Sequence, residues 1–160
     1  MTSPNPGPEP TPPTRPSDAA AGALFDAIAT EHATIYGYGM VSAHSDPEIN
    51  YLVAQAMAEH RARREAAIVL LEERGVDAPL PAAGYSLPME VDTPDQANTL
   101  AVTMEQDAAT AWRAVVEQAT EPDVRTFGVT ALTECAVMAA LWRRVRRDTT
   151  TTVAFPGGTE

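Results

Sequence analysis

The sequence predicts an all-α protein, a bundle of four helices arranged as two antiparallel hairpins joined by a long crossover. Three observations carry this. Four stretches of helical periodicity follow one another with almost no internal proline. Each opens on a recognisable start signal. The connections between them are short, long and short, which makes neighbours of the first and second helices and of the third and fourth.

The elements follow in chain order. Residues 1–17 are proline-rich and nearly free of large apolar side chains, so they read as a disordered tail. Ser17-Asp18 opens the first helix. Ser45-Asp46-Pro47-Glu48 opens the second, with a capping residue ahead of a proline whose missing N–H costs nothing in a first turn. Gly75 is placed to end it. The stretch "VDAPLPAAGYSLPMEVD" has no helical period and is long enough to run back along the bundle, with Tyr85 able to anchor it. Thr93-Pro94-Asp95-Gln96 opens the third helix as a capping box, Gln96 lying three residues after Thr93. Thr120-Glu121-Pro122 opens the fourth. Its last turns carry Arg143, Arg144, Arg146 and Arg147, where cations suit the helix dipole. The bundle domain is thus expected over 18–148, with 149–160 as a flexible C-terminal tail.

Composition narrows the function. The formal charge of −11, with no lysine, argues against nucleic acid and anionic membranes as partners. Cys135 is the only cysteine, which rules out an internal disulfide, a zinc ribbon and a CxxC redox motif. The start of the chain lacks the apolar core of a signal peptide, and the later sequence is expected to hold no membrane span. A cytoplasmic location is expected.

Advancing each helix by about 100° per residue shows which ionisable groups face inward. In the second helix Ile49, Leu52, Val53, Met57, Ile68 and Leu71 define a face, with His60 near its centre and Arg64 one turn on. Glu31 and His32 flank the inner face of the first helix. Glu105 lies beside Met104, Ala108 and Trp112 in the third, and Glu134 beside Ala131, Met138 and Leu141 in the fourth. Counted from the turns at about 1.5 Å per residue, Glu31 is level with His60 and Glu105 with Glu134. Glu31, His60, Glu105 and Glu134 are therefore expected to form a mid-bundle cluster, with Arg64 a turn away. His32 reads as a partly exposed helix residue, His44 as a cap or solvent group, and Cys135 as a small core residue.

The segments "EHATIYGYG", "EHRARRE", "YSLP" and "LTECAVMAALWRR" resemble the actinobacterial ferritin-like domain family of unknown function, within the ferritin-like superfamily. The resemblance covers residues 18 to about 148. It implies a ferritin-like four-helix bundle. Metal-binding members of that superfamily use a glutamate on each of two helices and Glu-x-x-His on the other two. Here Ala62 follows Glu59 by three residues and Val137 follows Glu134 by three, so both motif histidines are missing.

Three readings of the cluster follow. In one, Arg64 and protonated His60 neutralise the carboxylates in a structural network, the remains of a metal site. In another, Glu31, His60, Glu105 and Glu134 bind iron, manganese or zinc, and the protein is a redox or ferroxidase-type enzyme. In the third, the bundle is a binding or assembly module, with a homo-oligomer or another protein as partner. The missing histidines favour a bundle without a cofactor.

Overall fold

In the computed structural model, residues 11–158 are described, and they contain four long α-helices and no strand. The helices are α1 (Ala19–His44), α2 (Asn50–Glu72), α3 (Pro94–Gln118) and α4 (Pro122–Arg146). A 3₁₀ turn, Pro47–Ile49, leads into α2. The first ten residues of the expected N-terminal tail and the last two of the C-terminal tail lie outside the described residues.

The start signals work as their chemistry requires. The Asp18 carboxylate accepts from the Ala21 amide at 2.8 Å, satisfying one of the first-turn donors of α1. Thr93 and Gln96 form a reciprocal capping box, and Pro94 occupies the first turn of α3. The turn that follows α2 closes at Gly75, whose φ of 72° lies in the left-handed region that glycine enters without strain. α4 stops at Arg147, which takes the same region at φ 61°, while the Asp148 amide closes on the Arg143 carbonyl.

Two apolar clusters fix how the helices lie. One gathers Leu24 and Ile28 from the start of α1, Leu71 from the end of α2, Trp112 from the end of α3 and Val124 from the start of α4. The other gathers Tyr38 and Val41, Leu52 and Val53, Leu100, and Met138 and Trp142 from the opposite ends. α1 and α2 are therefore antiparallel, as are α3 and α4, while α2 and α3 run the same way. The crossover starts at the first cluster with Val76 and Ala78 and finishes in the second with Val91. Along the way the Tyr85 ring packs on Tyr36, their centroids 5.3 Å apart, and its hydroxyl accepts from the Ala82 amide. α1 packs on α2 and α3, and α3 on α4, while the backbones of α2 and α4 stand farther apart and meet through side chains.

The C-terminal segment, expected to be a flexible tail, lies against the α3–α4 surface. Arg143 donates to the Thr151 carbonyl at 3.2 Å. Val153, Phe155 and Gly157 help enclose a cavity of about 110 Å³ over Glu105 and Ala109. A side chain at Gly157 would meet the Ala109 carbonyl, so only glycine allows this approach. Val153 and Phe155 remain exposed, Phe155 by 67%, so the segment is held by the Arg143–Thr151 bond and the close approach of Gly157 rather than by apolar burial.

Candidate functional site

Between the two apolar clusters lies a layer of polar side chains drawn from all four helices. Glu31, His60 and Glu105 converge there, as their levels along the sequence predict. His60 Nδ1 lies 2.6 Å from Glu31 Oε2, and Nε2 lies 3.1 Å from Glu105 Oε1. All three are fully or nearly fully buried. Carboxylate oxygens only accept, so an imidazole facing one on each side donates from both nitrogens and is an imidazolium.

Arg63, not Arg64, supplies the second cation. Its Nη1 donates to Glu31 Oε1 at 3.2 Å and to Cys135 Sγ at 3.3 Å, and its Nη2 donates to Glu134 Oε2 at 3.0 Å. Arg63 as a whole is only 5% exposed. Arg64 turns outward and pairs with Glu65. The reason lies in which residues mark the inner face of α2. Ala56 and Ala67 are fully buried, whereas Met57 and Ile68 are only partly so, and the stripe is centred on Val53, Ala56, His60, Arg63, Ala67 and Leu71. Large side chains pull the apparent face toward Arg64; the alanines, which let α2 approach its neighbours, mark the true one.

Glu134 stands at the edge of the layer, not inside it. Its side chain is 48% exposed, and it touches the network only through Arg63. The inner face of α4 runs through Ala131, Cys135, Met138 and Trp142, one residue round from the stripe that includes Glu134. Among the described residues, no three His, Cys, Asp or Glu side chains are disposed to hold a metal ion.

Three aromatic donors complete the layer, and none stood out in the sequence as a polar partner. Trp112 Nε1 donates to Glu31 Oε1 at 2.7 Å. The Tyr38 hydroxyl donates to Glu105 Oε1, and Trp142 Nε1 donates to the Tyr38 oxygen at 2.8 Å. A continuous chain thus runs from Trp142 through Tyr38, Glu105, His60 and Glu31 to Trp112. Glu31 accepts three charged or ring donors across its two oxygens, while Glu105 Oε2 has no partner.

The electrostatics follow from these contacts. Burial pushes the Glu31 carboxyl up, but the bond and charge of His60, the charge of Arg63 and the Trp112 bond outweigh it and leave it lowered. Burial pushes His60 down, yet its bonds to Glu105 and Glu31 and their charges raise it to about 9. Arg63 Nη1 also lies 3.0 Å from His60 Nδ1, a contact between two cations that both reach for Glu31. The shorter distance goes to the carboxylate, so the Nδ1 proton belongs there. Burial, with the negative charge of Glu105 and its hydrogen bond, raises the Tyr38 hydroxyl well above its ordinary value. Burial likewise raises the Cys135 thiol, against the pull of Arg63, so Cys135 stays protonated and unreactive. Glu31 and Glu105 face His60 and Arg63, and the buried layer is self-neutral.

Of the remaining histidines, His32 is more buried than the sequence suggests. The crossover covers it, and its Nε2 pairs with the Pro79 carbonyl at 3.1 Å. His44 caps its own helix through the Met40 carbonyl.

α4 is long and apolar enough to cross a membrane by length and composition, with a mean hydropathy of 1.3 over 18 residues, contrary to the expectation of no such run. One face of it packs on α3.

No curated protein matches the chain. A crystal structure of a conserved hypothetical protein from Mycobacterium tuberculosis is similar to it, 59% identical, with the match covering 81% of this chain and 98% of that one at a TM-score of 0.79. Residues 23–160 match the family described as Domain of unknown function (DUF4439), and across that span the chain belongs to this family.

Proposed function

We propose that the protein is a ferritin-like bundle in which the position of a metal centre has been taken over by the chain's own cations, and that it serves as a cytoplasmic binding or assembly module. The observation that carries this reading is the double donation of His60. A metal ligand must offer a lone pair, and both ring nitrogens are spent on Glu31 and Glu105. Arg63 competes for the same Glu31 carboxylate, and both Glu31 oxygens are already engaged by donors of the chain. The four residues Glu31, His60, Glu105 and Glu134 therefore fit iron or manganese poorly.

One observation favours the alternative of an iron- or manganese-binding redox protein: Glu105 Oε2 is buried without a partner. The test is to melt the wild type in rising manganese or ferrous iron, beside Glu105→Ala. A ligand that binds only the folded state raises the melting temperature with its concentration. The expected result is no metal-dependent rise in either protein. A rise in the wild type that disappears in Glu105→Ala would overturn the proposal in favour of ligation.

A further inference from the structure

An apolar surface lies open along the seam between α2 and α4. The backbones of these helices stand apart, bridged mid-length by Arg63 with Glu134 and Cys135, and a cavity of about 360 Å³ opens between them, walled by Gln55 and Glu59 on one side and by Val137 and Leu141 on the other. Only a third of the apolar window of α4 is buried. Val129 and Val137 are exposed, Val137 by 55%. A helix this apolar leaves a large surface whose burial would stabilise whatever covers it.

The stripe that α4 presents there reads Glu134, Val137, Leu141, Arg144, at spacings of three, four and three. Read backwards, the spacing is the same, with opposite charges at its ends. An antiparallel copy of the same helix, crossing at the level of Ala139, sets Val137 opposite Leu141 and Glu134 opposite Arg144 on both sides of a two-fold axis. Such self-complementarity is what an isologous contact requires. Glu134 bonds Arg63 through Oε2, and Oε1 is left to receive a second guanidinium.

We infer that the α2–α4 seam is a homodimer interface, in which α4 pairs antiparallel with α4 of a second copy and the apolar pair Val137–Leu141 is bracketed by Glu134–Arg144 ion pairs. Through Glu134 and Arg63 the interface borders the buried layer, but the pairing does not depend on how that layer is read. Other occupants fit less well. A lipid surface would meet the charges of Glu134 and Arg144 at both ends of a stripe with only Val137 and Leu141 between them, and it has no use for their symmetric placement.

The test is sedimentation of the full chain over a concentration series, with circular dichroism to confirm that each variant keeps its helices. The wild type should sediment at twice its 17.0 kDa chain mass. Arg144→Glu sets like charges opposite each other, and Val137→Asp places a charge in the apolar contact. Each should weaken dimerisation by about tenfold or more. Neither residue belongs to the buried layer. Adding Glu134→Arg to Arg144→Glu restores opposite charges and should bring the dimer back. A single-chain mass at every concentration would overturn the inference, as would a dimer indifferent to both single substitutions or a helical double variant no tighter than Arg144→Glu. Binding of the wild type to phosphatidylcholine–phosphatidylglycerol vesicles, lost in Val137→Asp, would also overturn it by assigning the face to lipid.

Discussion

Removing the Arg63 guanidinium would leave Glu31 and Glu134 short of a cation and the Cys135 sulfur without its donor. Truncating one partner of a buried ion pair strands the other, so Arg63→Ala should destabilise the fold by about 3–5 kcal/mol in urea titrations. Arg64→Ala, whose partner is a solvated glutamate, should change stability by less than about 1 kcal/mol. Tyr38→Phe removes the acceptor of Trp142 and a donor to Glu105, and should cost about 1–3 kcal/mol. The layer also sets a pH dependence. His60 binds its proton more tightly folded, at about 9, than unfolded, near 6.5, so its contribution is complete below 6.5 and is lost as pH rises through 9. That contribution amounts to about 3 kcal/mol. Glu31 is lowered, so its contribution is present above its ordinary value of 4.5 and is lost as pH falls through the folded one. The two groups share one contact and do not add. Chemical denaturation from pH 5 to 10 should therefore show stability declining above about 6.5, and His60→Gln should abolish the decline between about 6.5 and 9, above which the raised Cys135 thiol and Tyr38 hydroxyl add a loss of their own. Much of this layer is legible in the sequence, because Glu31, His60 and Glu105 are ionisable residues at matching distances from tight turns. Arg63 is not, since at three residues from His60 it competes with Arg64 at four, and only the alanines decide between them. Trp112, Tyr38 and Trp142 read as packing, because their polar tips find partners only across helices.

At the scale of elements, prolines and caps are local chemistry, and they place the helix starts in the sequence without reference to packing. The C-terminal segment is a different case, because its hold on the bundle comes from the α3–α4 surface beneath it, which no local pattern reveals. The closeness of α1 to α3 is another non-local feature. At Gly37 a methyl group would collide with the Met104 thioether, although both residues sit in helices where alanine is otherwise favoured. The obstacle is the end of a flexible thioether that can swing aside, so Gly37→Ala should cost about 1 kcal/mol or less. The same substitution in a Met104→Ala background should be neutral or stabilising, and a double-mutant cycle reads the difference. The polar layer adds a constraint on sliding. A slip of one helix by a turn, about 5.4 Å, would move its charged groups into one of the apolar clusters, so the layer fixes register as well as charge.

For the whole molecule, the arrangement of contacts is uneven. α3 is flanked by α1 and α4, whereas α2 rests mainly on α1. Amide exchange in dilute protein should be slowest in α3 and faster in α2, in line with the local differences in burial that govern opening. Dimerisation through the seam would slow exchange in α2 and α4 as concentration rises. The layer between the apolar clusters has a further effect on how the two ends of the bundle melt. Each end has its own core and could in principle open alone, yet side chains of all four helices bond to one another at the middle, so opening either end exposes a balanced set of charges to imbalance. The layer thus acts as a cooperative joint, making one unfolding unit of two half-cores. In calorimetry the wild type should show equal van't Hoff and calorimetric enthalpies, and Arg63→Ala should show a van't Hoff value below the calorimetric one as the two ends begin to melt apart.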